Sequence, residues 1–247
     1  MSQPKIEFFT EVEPLLRYPP VRAAKAMPDW FRRMEPAIEL PPSASEWPFG
    51  VSKDLRLSNV NATIKRCPGV LSFLAEGYIV PLWTDYIVQV RGETIYAHGA
   101  NPKLARVGTH SKKHQYADMP LPEGYVTDAV KFINPWKVRT PPGWSVLVSA
   151  PFYQFDDRFL VVPGVIDADV YHHMHVNTLF RRVNADHKLP MGMPFIHLLP
   201  FQRGALEHEV RLATEADRKR LEQLDFEGQR FFGKNQAIRA GGNDDPE

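Results

Sequence analysis

Two aspartates and three histidines fall within nine positions of the stretch GVIDADVYHHMHVNTLFRRVNADHKLPMGMPFIHLLPFQR, which runs from Gly164 to Arg203. Asp167 and Asp169 are carboxylates, groups that stay ionised at neutral pH and can hold a water molecule or accept its proton. If VYHHMHV is extended, His173 and His175 share one face and His172 lies on the other. Two imidazoles beside Asp167 or Asp169 have the ligand types of a non-haem Fe(II) site or a three-ligand Zn site, and His197 would be a further ligand. The stretch therefore allows an acidic centre, a metal-dependent enzyme whose cofactor would be a divalent metal, or a solvated strand face with no chemistry. It does not fit the cupin pattern, because the glycine precedes the histidines by too many residues and no glutamate follows at the needed distance. Asp156, Asp157 and Arg158 read as a loop ion pair, a contact that carries little energy when exposed.

The elements that must position these groups are short and mostly extended. The chain has 23 prolines and 11% aromatic residues, and helical periodicity is scarce, which predicts short strands joined by structured loops. Tyr86, Val88 and Val90 alternate through DYIVQVR, and RGE supplies a hairpin turn into TIYAHG. LSFLAEGYIVPLW reads as a helical turn followed by a strand, and residues 101 to 130 as a loop carrying His110, Lys112, Lys113 and His114. Three apolar runs follow, AVKFINPWKVRT, TPPGWSVLVSAPFY and FLVVPGVIDADVY, and they predict strands in sequential, local order. Pro141-Pro142-Gly143 is strong turn chemistry, since proline fixes its φ and Gly143 accepts a positive one. Residues 1 to 56 read as a Pro-rich arm packed on the core, with VRAAKAMPDWFRRM as a helix that Pro28 interrupts and Trp30, Phe31 and Trp47 as anchors. TEADRKRLEQLDFEGQRFF predicts a C-terminal helix that opens on a Thr214/Asp217 capping box and places Leu221 and Leu224 on one side, followed by a flexible tail. The expected division is thus 1–56, 57–210 and 211–247.

Charge and cysteine content narrow the function classes. With 30 Lys and Arg against 29 Asp and Glu, no general nucleic-acid binding is expected. Cys67, the single cysteine, cannot close an intrachain disulfide, MSQPKIEFF has no leader pattern, and no run approaches the ~18 apolar residues of a membrane helix. A cytoplasmic protein without membrane partners is expected. No Walker loop, GxGxxG, CxxC or GxSxG occurs.

The order TPPGWSVLVSAP, then PGVIDADVY, then LPMGMPFIHLLPFQR resembles the dUTPase and dCTP deaminase superfamily across roughly residues 130 to 203. The resemblance implies a mainly β fold, a β-clip core with the Pro-rich arm before it and the helix after it. It also implies that Asp167 orders an attacking water, with Asp169 beside it. The ligand-binding positions it implies are Gly143, Gly164, Tyr153 and Tyr171, and it implies a homotrimer with the site between subunits. Three departures accompany it. The family's sugar-packing aromatic comes three residues after the aspartate whereas Tyr171 comes four after, and on a strand that shift faces the other side. Where the family grips the triphosphate with an arginine-bearing segment stand Phe152, Tyr153 and Gln154, which cannot replace a guanidinium fork. The Gly-rich closing arm is missing unless IRAGGNDD is its remnant. The whole sequence, PDWF and KRCPG included, is also similar to a family of phage and bacterial proteins, a resemblance that implies no activity. The leading expectation is a small polar ligand, such as a nucleotide, in a diverged cleft; a hydrolase would act on that ligand. The alternatives are a non-catalytic interaction or phage-type structural protein, and the metal enzyme using His173 and His175.

Overall fold

A computed structural model describes residues 4–36 and 63–223. The chain forms two compact units, one from residues 1–28 with 74–204 and one from 29–73 with 205–247. Trp47, Leu224 and the IRAGGNDD segment lie outside the described residues.

The first unit is built from antiparallel strands. Its N-terminal residues add β1 (Glu7–Phe9) and β2 (Val21–Arg22). Then come β3 (Tyr78–Pro81), the hairpin β4 (Tyr86–Arg91) and β5 (Thr94–Gly99), β6 (Val107–His110), a four-residue helix Lys112–Gln115, β7 (Ala129–Phe132) and β8 (Lys137–Arg139). The second half holds β9 (Trp144–Ser149), β10 (Phe159–Val161), β11 (Gly164–Ile166), β12 (Val176–Phe180), β13 (Ala185–Leu189) and β14 (Pro194–Gln202). They make sheets ordered β11-β9-β14-β3-β2, β10-β12-β7-β6 and β13-β4-β5, plus the pair β1-β8. The protein is mostly β, with several antiparallel sheets and few helices.

The strand expectations for Trp144–Val148 and Phe195–Leu199 agree with β9 and β14. Sequential, local order does not: β14 inserts between β9 and β3, about 45 and 110 residues away in sequence, because a strand flanked on both sides buries more than an edge strand can. Phe195, Ile196, His197 and Leu198 are accordingly all buried. The segment expected to be loop from 101 to 130 contains β6 and the short helix. VRAAKAMPDWFRRM splits at Pro28 as proline requires, into β2, a 3-10 turn and a helix Asp29–Arg33, in which Phe31 is buried.

The core between the sheets is aromatic. Phe132 meets Tyr86 and Phe195 edge-on with ring centroids 4.9 and 5.1 Å apart, and Trp83 meets Phe195 at 5.8 Å. The indole of Trp83 is satisfied, Nε1 donating to Tyr86 Oη at 3.1 Å and to the Leu104 carbonyl at 3.2 Å. Tyr86, Val88 and Val90 point into this core and Ile87 and Arg91 away from it, the alternation written in the sequence.

The second unit contains helix Asp29–Arg33, and the carbonyls of Arg32 in its last turn and of Met34 just after it accept from Lys65 Nζ at 2.9 and 2.8 Å. Its C-terminal helix covers 215–223. The capping box forms as read: Asp217 N donates to Thr214 Oγ1 at 3.2 Å and Thr214 N to Asp217 Oδ2 at 2.7 Å.

Candidate functional site

The start of β9 and the ends of β11 and β14 converge on one patch. Ile166 of β11 pairs with Val146 of β9, and Gln202 of β14 pairs with Trp144, so Asp167 and Arg203 arrive on either side of Ser145. The turn before β9 makes room for them. Gly143 has φ +81°, Trp144 N donates to the Pro141 carbonyl at 3.1 Å, and Arg203 N donates to the Gly143 carbonyl at 2.7 Å.

The two aspartates take different parts here. Arg203 grips Asp169 with both ends of its fork, Nη1 to Oδ1 at 2.8 Å and Nη2 to Oδ2 at 2.5 Å, and Gly143 N donates to Oδ2 at 2.8 Å. With its side chain only 9% exposed, Asp169 is committed to joining these segments. Arg203 and the Gly143 amide hold its carboxyl down to about 2. Asp167 stands outward, its side chain 58% exposed. Its Oδ1 accepts from Ser145 Oγ at 2.6 Å and lies 3.1 Å from Arg203 Nη1. Those contacts, Ser145 foremost, keep it ionised below the usual carboxylate range. The sequence reading missed Ser145 and Arg203, although both lay in motifs it quoted; nothing in a linear pattern marks which serine or arginine ends beside a carboxylate.

The segment after Asp167 is a helical turn rather than a strand. Val170 N and Tyr171 N both donate to the Asp167 carbonyl, at 2.9 and 2.8 Å. Residues four apart in such a turn are neighbours on one side. Strand alternation therefore does not apply between Asp167 and Tyr171, and Tyr171 is 52% exposed. Its ring lies 5.4 Å from that of His173, which lies 5.2 Å from that of His175.

The other expected residues lie elsewhere. Gly164 pairs with Val148 toward the opposite end of β9 from Asp167. Tyr153 lies beyond that end, in a loop where Tyr153 and Phe155 hold φ of 62° and 50° with rings 5.9 Å apart. His172 Nδ1 is 3.0 Å from the Ala168 carbonyl, and His197 Nε2 is 2.7 Å from the Glu76 carbonyl. Among the described residues no three His, Cys, Asp or Glu side chains are grouped as metal ligands. A cavity of about 560 Å³ lies along Tyr78, Thr140 and Trp144, on the face of β9 opposite Ser145.

His175 is surrounded by positive charge. Burial pushes its imidazole down to about 4, and Lys131, His173 and Arg106 push it the same way. Its folded value lies below the unfolded 6.5, so the unfolded chain takes up the proton first. The stabilising contribution of neutral His175 is complete above pH ~6.5 and is lost as pH falls toward ~4, a loss of about 1–2 kcal/mol after discounting for partial solvent access. Denaturant unfolding in anion-poor buffer should show His175→Gln less acid-sensitive than the parent; equal losses between about pH 7 and 4.5 would contradict the assignment.

No protein-family model matches the chain, and no curated protein does. Among solved structures the chain is similar to native EIAV dUTPase, at 13% identity and a TM-score of 0.31, over 56% of this chain and 85% of that one. A TM-score of that size assigns no role to any residue. The fold and patch by themselves define a mostly β protein of antiparallel sheets carrying a surface carboxylate–guanidinium cluster. Among the described residues no helix is long and apolar enough to cross a membrane.

Proposed function

We propose that this is a β-clip protein that binds a small, polar, nucleoside-like ligand at Asp167 and Tyr171. The observation that carries the reading is the short turn in which Val170 N and Tyr171 N both donate to the Asp167 carbonyl, with an exposed, ionised carboxylate at one end and an exposed aromatic ring at the other. An aromatic face takes the planar ring or sugar of such a ligand, and the carboxylate accepts from its hydroxyl or amide groups or from a bound water. Asp169 is a positioning residue, because its oxygens are already engaged by Arg203 and Gly143. Triphosphate hydrolysis is not part of this reading, since Phe152, Tyr153 and Gln154 supply no guanidinium. In a homotrimer the Tyr153 loop of one copy could meet the Asp167 patch of another; within one chain the length of β9 separates them. Light scattering giving a monomer mass would remove that element alone.

Calorimetric titration with deoxyuridine and dUMP tests the site. Binding is expected, and Asp167→Asn or Tyr171→Ala should each weaken it by about tenfold in a protein that still folds by circular dichroism, the loss of one charge-assisted or stacking contact. Failure of both compounds to bind, or variants with parental affinity, would sink the reading.

A further inference from the structure

The outer face of the β10-β12-β7-β6 sheet carries a cluster that neither the acidic patch nor a metal site accounts for. Asn177 of β12 pairs with Lys131 of β7, which pairs with Gly108 of β6. One row along, His175 continues β12, and Ile133 N donates to the Arg106 carbonyl at 2.9 Å. Side chains two apart on a strand share a face, and directly paired residues share it across the sheet. Phe132, Val130, Val176 and Thr178 fill the core side, so Arg106, Lys131, His175 and Asn177 share the outer one. His173, its ring centroid 5.2 Å from that of His175, extends the group. Gly108 contributes no side chain above Lys131; a Cβ there would sit 3.8 Å from that of Lys131.

Three features of this face belong together. Arg106 and Lys131 have no carboxylate at ion-pair distance among the described residues, although Arg and Lys elsewhere in the same unit are paired repeatedly. His175 Nδ1 is buried without a hydrogen-bond partner, and so is Asn177 Oδ1. Buried polar atoms without partners are few in native proteins, and like charges gathered without a counter-charge destabilise a fold. An oxyanion answers both at once: it neutralises Arg106 and Lys131 and accepts from His175 Nδ1–H, while the Asn177 amide, turned by 180°, donates as well. A divalent cation would add to the repulsion.

We infer that Arg106, Lys131, His173, His175 and Asn177 form a binding site for a phosphate-type oxyanion, free or as part of a larger molecule, on the outer face of this sheet. The site stands on its own residues and does not depend on ligand binding at Asp167.

Inorganic phosphate is the probe, with sodium chloride at matched ionic strength as control. Phosphate at about 20 mM should raise the melting temperature above the chloride control by mass action on the folded state. It should also shift the His175 ring signals in NMR spectra and raise the pH at which that ring titrates, a response that binding elsewhere would not produce. Arg106→Gln with Lys131→Gln, two surface changes that leave the core intact, should weaken phosphate at least about tenfold. Asp167→Asn should leave it unchanged, which separates this site from the nucleoside reading. Stabilisation no greater than in chloride, or equal stabilisation in the double variant, would overturn the inference.

Discussion

Phe132→Ala is expected to cost about 3–5 kcal/mol of folding stability, the range for truncating a fully buried phenylalanine. Phe132 has no exposed surface and closes the space between Tyr86, Phe180 and Phe195, whose rings lie 4.9, 6.5 and 5.1 Å from its own. Those neighbours come from β4, β12 and β14, which belong to three sheets, and none can collapse into the void without breaking its own strand pairing. Against a total stability of ~5–15 kcal/mol for a domain, the loss is large. Urea unfolding of parent and variant measures it. A difference below about 1 kcal/mol would mean that the sheets do not pack through this ring.

The second large effect is expected from Arg203→Met, which keeps the aliphatic bulk and removes the fork. Asp169 would retain only the Gly143 amide while remaining largely covered, and Asp167 would keep only Ser145. Removing one partner of a covered ion pair is more damaging than replacing both, because a charge is left behind without compensation. The melting temperature should fall by several degrees at neutral pH. The pH dependence gives the signature. Asp169 lies at about 2 in the fold against an ordinary 3.8, so its ionised form stabilises the fold above ~3.8 and that stability is lost as pH falls toward ~2. The gap between parent and variant should therefore be widest near neutrality and narrow on acidification through that range. A gap that stayed constant would show that Arg203 acts through packing alone. Nucleoside affinity should fall as well, since Asp167 would lose part of its orientation.

The sequence by itself determined the local structure where local forces are sufficient. Alternation fixed the faces of β4, Pro28 broke the helix of the arm, Gly143 closed its turn, and Thr214 and Asp217 capped the last helix. Each depends on residues within a few positions of one another, so each can be read from a linear pattern. The order of strands could not be read in the same way: β14 pairs along one edge with β9 and along the other with β3, and sequence spacing does not state which strands meet those edges. The turn at Asp167–Tyr171 escaped the alternation argument because Val170 N and Tyr171 N find the Asp167 carbonyl rather than a partner strand, a choice between competing hydrogen bonds. Only the tertiary structure separated the roles of the two aspartates. In the sequence Asp167 and Asp169 are equivalent carboxylates two residues apart; in the fold Arg203, 34 residues beyond Asp169, reaches back and covers one while the other stays open to solvent. The same holds for His175, whose charged neighbours are Lys131 of β7 and Arg106 from the segment before β6, because pairing across a sheet places residues from distant parts of the chain on one face.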